Sequence, residues 1–161
     1  MSLTQPVVSD HQLARLLQIG MVLEEVVEAR AHKHYETLDD DELDPEIVEL
    51  LEDAAKESSE HRRRLETLVD ELDADPVAYE EIETLVAARY ESDTDFDDVL
   101  YDQLCNEETA YKFYDDLITA IEESDIEFSL DRDRLIAVLR EIRADERDGV
   151  EEVTELMERR K

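Results

Sequence analysis

The chain has one cysteine, two glycines, three prolines and no tryptophan in 161 residues. A lone thiol, Cys105, excludes an internal disulfide and any zinc or iron–sulfur site built on cysteines, and it fits a compartment where thiols stay reduced. So little glycine and proline leaves scant material for tight turns or low-complexity tails and points to helices. Positive charge is scarce as well: 17 Lys and Arg stand against 48 Asp and Glu, a net charge of −31. Duplex nucleic acid and the cytoplasmic face of a membrane are polyanions that need clustered cations. Nothing in the chain exceeds Arg62 to Arg64 in that respect, so neither partner is expected. No apolar run approaches the roughly 20 residues that span a bilayer, and the first residues lack the basic and apolar stretches of a secretion signal. A soluble, cytoplasmic protein is expected. The acidic excess, with many Arg and few Lys, looks like the surface of a protein from a high-salt cytoplasm, where screening removes self-repulsion.

Apolar side chains make up 42% of the residues, enough for one core, and a single domain over 1–161 is expected at this length. Asp44-Pro45 and Asp75-Pro76 each place a capping aspartate before a first-turn proline. Ser9 with Gln12 resembles a capping box, Thr94 precedes Asp95 and Asp97, and Ser129 or Asp131 can cap a last segment. This punctuation predicts helices over 10–38, 45–72, 76–91, 95–123 and 130–159, four long and one short. The alternating Asp93, Asp95 and Asp97 invite a calcium loop. An EF-hand, however, needs glycine at its sixth position and glutamate at its twelfth, where this chain has Asp98 and Leu104, so the stretch reads as a solvated helix start.

The second long helix carries a stripe at Ile47, Leu51, Ala54, Ser58, His61, Leu65, Leu68 and Leu72, alternating steps of four and three, the spacing of a bundle seam. The last helix repeats it 88 residues later, with Leu135, Leu139, Ile142, Glu146, Gly149, Val153 and Leu156 in register with Ile47 through Leu68. On the first and fourth helices, "EARAHKHY" from Glu28 precedes "EETAYKFY" from Glu107 by 79 residues. Two related helical hairpins joined by a crossover containing the short helix predict an all-α four-helix bundle with one long connection.

The seams turn polar at one level, where Glu28, Ser58, His61, Glu107, Glu146 and Gly149 take inward positions on four helices. Three carboxylates and an imidazole in a bundle interior cost several kcal/mol each unless they are neutralised, paired or bound to a cation. A metal satisfies all of them together. Hydrogen bonds from Tyr35, Tyr114 and His61, or an inward Arg30 or Arg143, would be the metal-free solution. Glu57, Asp145, Asp148 and His32 lie near the level but off the seam, and His34 and Cys105 read as packed residues. Gly149, in mid-helix, costs about 1 kcal/mol against Ala, and a bulky neighbour such as Tyr111 is expected to fill the space beside it.

The recurrence of Glu-x-x-Ala-x-x-x-Tyr on alternate helices resembles the ferritin-like superfamily, most closely its rubrerythrin branch, over nearly the whole chain. In that family a Glu from each of the first and third bundle helices joins a Glu-x-x-His from each of the others to hold two iron or manganese ions. The resemblance implies Glu28 and Glu107 as the lone glutamates. The Glu-x-x-His of the second helix falls on Ser58 to His61 and keeps only His61. That of the last falls on Glu146 to Gly149 and keeps only Glu146. The implied function is a reduced site of Glu28, His61, Glu107 and Glu146 holding one Fe(II), Mn(II) or Zn(II), in iron or reactive-oxygen handling as a non-haem oxidoreductase. Any reductant is expected to be a separate protein, because no rubredoxin-like cysteines are present, and bundles of this kind pair into homodimers. The alternative is a metal-free scaffold or interaction module of the same fold.

Overall fold

The computed structural model describes residues 5–37, 44–76 and 99–160, together with 78, 80–81 and 83–84 between them. Four helices dominate: α1 (Asp10–Thr37), α2 (Pro45–Glu71), α3 (Val99–Glu122) and α4 (Arg132–Arg159). No strand occurs among the described residues, and no described helix is long and apolar enough to cross a membrane. The short crossover helix expected over 76–91 falls mostly outside the described residues, as does the expected helix start at 95–98.

The helices begin where the capping chemistry directs. Ser9 Oγ accepts from the Gln12 N–H at 3.0 Å while Gln12 Oε1 reaches back to accept from the Val8 N–H at 2.7 Å, a reciprocal arrangement close to a capping box. Asp44 accepts from the Glu46 N–H at 2.9 Å, with Pro45 in the first turn of α2. Asp131 caps α4 through the Asp133 N–H at 3.0 Å. Replacing Asp131 by Ala is expected to lower stability by about 1 kcal/mol, read as a shift of the urea midpoint at unchanged slope.

α1 packs along α2 and α3 along α4, and the two hairpins meet through α1 with α3 and α2 with α4. Two apolar clusters fill the interior. One unites Leu13 and Leu17 with Leu65 and Leu68, Leu117 and Ile121, and Leu135 and Leu139. The other, at the opposite end, unites Ala31 with Ile47 and Leu51, Leu100, and Val153 and Leu156. The first draws on the beginnings of α1 and α4 and on the ends of α2 and α3, so α1 and α4 run one way and α2 and α3 the other. α3 therefore starts at the opposite end of the bundle from where α2 stops, which requires one long connection. The stripe read on α2 from Ile47 to Leu72 is buried throughout, and so is that on α4 apart from the half-buried Gly149.

A polar contact joins the hairpins away from the central level. Asp102 on α3 receives Arg30 Nη1 at 2.8 Å and meets His34 Nε2 at 2.7 Å, both from α1, and Asn106 adds a contact at 3.4 Å. His34 and Asp102 are buried. Arg30 is thus engaged with Asp102 and Asn106, while Arg143 pairs with Asp115 at 2.7 Å.

Candidate metal centre

Between the two apolar clusters lies a layer of buried polar groups: Glu24 from α1, Ser58 and His61 from α2, Gln103 and Glu107 from α3, and Glu146 from α4. Its centre is His61, 1% exposed. His61 Nδ1 lies 3.3 Å from Glu24 Oε1 and 3.2 Å from Glu146 Oε1. Its Nε2 lies 2.9 Å from Asp145 Oδ2 and 3.9 Å from Glu57 Oε1. Both ring nitrogens therefore face carboxylates, and two trios form around one imidazole: Glu24, His61 and Glu146 inside, Glu57, His61 and Asp145 outside, each with ligand atoms within 4.8 Å of one another. Tyr114 seals the inner side by donating its hydroxyl to Glu24 Oε1 at 2.7 Å.

The expected site residues do not all meet. His61 and Glu146 converge, and Glu107 lies beside Glu146, accepting from Gln103 Nε2 at 2.9 Å. Glu28 stands one turn beyond Glu24 with its side chain 24% exposed, paired with Arg62 at 3.1 Å and 3.9 Å from His32. The position opposite His61 belongs to Glu24. Steps of four and three from Leu17 and Met21 reach Glu24 before Glu28, and on the same seam the level of His61 selects the earlier turn. Position 103, 79 residues after Glu24, holds Gln103, equally buried, so a long polar side chain recurring at that step was the signal for Glu24. Matching only the Glu-x-x-Ala stretch drew attention to Glu28 instead. An open groove between α1 and α2, floored by Ala31, Leu51 and Ala55, runs past Glu28 and Arg62 and is lined by neither Glu24, His61 nor Glu146.

Gly149 has a specific neighbour. A Cβ built on it would lie 2.6 Å from Glu107 Oε2 and 2.7 Å from its Cδ. The space that Tyr111 was expected to occupy is thus bordered by the Glu107 carboxylate. Gly149→Ala should gain about 1 kcal/mol in helix propensity yet push Glu107 off its contact with Gln103. The expected result is a net loss of about 0–2 kcal/mol together with a displaced Glu107 in a crystal structure of the variant.

Electrostatics follow from burial. It works against the charge on His61, but the hydrogen bond and charge of Glu24, then Asp145 and Glu57, outweigh it and raise the imidazole to about 9. Burial first, then the charges of Glu24 and Glu107, pushes Glu146 far above the usual carboxylate range. Burial also raises Glu107, against the pull of Glu146 and Gln103, and Glu57 is lifted to about 7, chiefly by burial. The metal-free cluster therefore favours a protonated His61 beside a Glu146 carboxyl that holds its proton.

Even so, it is incompletely satisfied. Glu24 Oε2, Gln103 Oε1 and Glu107 Oε2 are buried without a hydrogen-bond partner among the described residues, an arrangement that costs about 1–3 kcal/mol per group, more when charged. Once deprotonated, two carboxylates and an imidazole are the donor set of a first-row divalent ion, so these residues fit a metal. The chain matches no protein-family model, no curated protein and no solved structure.

Proposed function

We propose that this chain is a metal-binding bundle of the ferritin-like, rubrerythrin-like kind, holding one divalent ion through Glu24, His61 Nδ1 and Glu146, with Glu107 beside them. The observation that carries this reading is the partnerless, fully buried Glu24 Oε2 next to an imidazole and a second buried carboxylate. In this reading Glu28, one turn from Glu24, supports the site from outside through its pair with Arg62. Tyr114 and Gln103 orient Glu24 and Glu107 by hydrogen bonds. The apolar clusters above and below exclude water.

Iron or manganese bound there would supply one-electron chemistry at open coordination positions, and zinc would supply a Lewis acid. The chain's part is to surrender the protons of His61 and Glu146 when the ion binds, leaving a neutral imidazole and a carboxylate to hold it. An oxidoreductase reading adds an external reductant, and a homodimer in a salt-rich cytoplasm completes the picture. The competing reading, a metal-free scaffold, draws on the fact that His61 already has hydrogen-bonding neighbours on both nitrogens.

The deciding experiment is elemental analysis of protein purified in high salt without chelator and reloaded anaerobically with Fe(II) or Mn(II). About one ion per chain is expected for a site of this donor count. Folded protein that takes up none would leave the scaffold reading.

A further inference from the structure

The geometry points to an outer cation position on the Nε2 side of His61, formed with Glu57 and Asp145, that captures a divalent cation from solvent and passes it to the buried position between Glu24 and Glu146. It rests on the metal-binding reading above and adds how that site is loaded.

The inner position is closed. Glu24 and Glu146 are 1% and 4% exposed, apolar clusters lie on either side, and the Tyr114 hydroxyl holds Glu24. By contrast, the side chains of Glu57 and Asp145 are 42% and 46% exposed. Their carboxylates lie 3.9 and 2.9 Å from Nε2 of the buried His61, whose Nδ1 meets both inner carboxylates. Solvent, outer carboxylates, imidazole and inner carboxylates thus form a continuous series of oxygen and nitrogen donors. The partnerless Glu24 Oε2 at its inner end is where a cation gains most. Glu57 and Asp145 also stand 88 residues apart, at equivalent places in the two hairpins, and both lie on the Nε2 side of His61.

A neutral imidazole offers one lone-pair nitrogen at a time. The two positions therefore compete for His61, and the outer one empties as the inner one fills. Occupancy at equilibrium is set inside; the outer carboxylates set the rate.

Co(II) tests this, because its visible absorption reports coordination as it changes. With the full chain in stopped flow, the wild type is expected to show a fast phase that scales with Co(II) concentration, then a slower concentration-independent phase. The double variant Glu57→Gln, Asp145→Asn should lose the fast phase and load at least about tenfold more slowly, while reaching the wild-type stoichiometry. Glu60→Gln, an exposed charge-removing change elsewhere on α2, should load at the wild-type rate. The inference is overturned if the double variant loads as fast as wild type, if Glu60→Gln slows loading equally, or if the double variant binds no Co(II) at equilibrium, which would place Glu57 and Asp145 in the tight site. A wild type that takes up no Co(II) at all would refute the metal-binding reading itself.

Discussion

Replacing His61 by Ala is expected to abolish stoichiometric binding of Fe(II), Mn(II) or Co(II) and, in the presence of chelator, to destabilise the fold by about 3–5 kcal/mol. Both effects follow from position. His61 is the group through which Glu24, Glu146, Asp145 and Glu57 communicate, and removing it leaves buried carboxyls with no cation. Glu146→Gln separates the two consequences. It preserves volume and stands in for the protonated carboxyl that the metal-free protein buries, so that protein should be no less stable than wild type, yet a donor oxygen is lost and metal affinity should fall by about 10–100-fold or more. Titration calorimetry and urea unfolding of the two variants measure these separately. Wild-type metal affinity in both would remove His61 and Glu146 from consideration as ligands.

Without metal, stability should decline as pH rises from about 5 to about 9, and metal should reverse the trend. Glu57 is raised from its ordinary 4.5 to about 7 and His61 from 6.5 to about 9. A group whose folded value lies above its unfolded one stabilises the fold fully below the unfolded value, and that contribution disappears as pH climbs through the folded value. The loss thus spans about 4.5 to 7 for Glu57 and about 6.5 to 9 for His61. Burial lifts Glu107 and Glu146 in the same direction. Bound metal takes the deprotonated ligands, so its contribution, about 2.7 kcal/mol at a free concentration one hundred times Kd, grows with pH. Melting curves at fixed high salt, with chelator and with Mn(II), test both halves. A metal-free midpoint that holds level or climbs across that range would contradict the burial of protonated carboxyls described here.

Helix positions were legible because local chemistry marks them. The caps at Ser9, Asp44 and Asp131 and the proline at 45 each act within one turn, and α1, α2 and α4 start and stop within two residues of the expected limits. The seams were legible on α2 and α4 because aliphatic residues on both sides of the polar level fix which stripe faces inward. On α1 the same rule admits two candidates, since Glu24 and Glu28 both fall on four-and-three steps from Leu17. Which of them meets His61 depends on how far α1 slides along α2, a property of packed side chains that a stripe does not encode. Glu57 and Asp145 lie one position off their seams and approach His61 only because two helices bring their flanks together. That too is tertiary information. The pairing of Gly149 with Glu107 lies between these cases: the glycine announced that space was needed, while its user sits on another helix.

The contact of Arg30 and His34 with Asp102 has a consequence for assembly. Two related hairpins in one chain can in principle pair with themselves, the first with the first of another molecule, as readily as with each other, and such exchange gives swapped dimers. The contact breaks that equivalence. At the repeat-related positions stand Thr109, Leu23 and Phe113, with Phe113 stacked edge-on against Tyr114 at 5.3 Å. A first hairpin facing another first hairpin would bring Arg30 and His34 against Leu23, with no aspartate to receive them. A second facing a second would bury Asp102 against Phe113 with no cation. Only the pairing of unlike hairpins lets every charge find its partner, so what resembles a duplicated structure is held in one arrangement by the residues in which its halves differ.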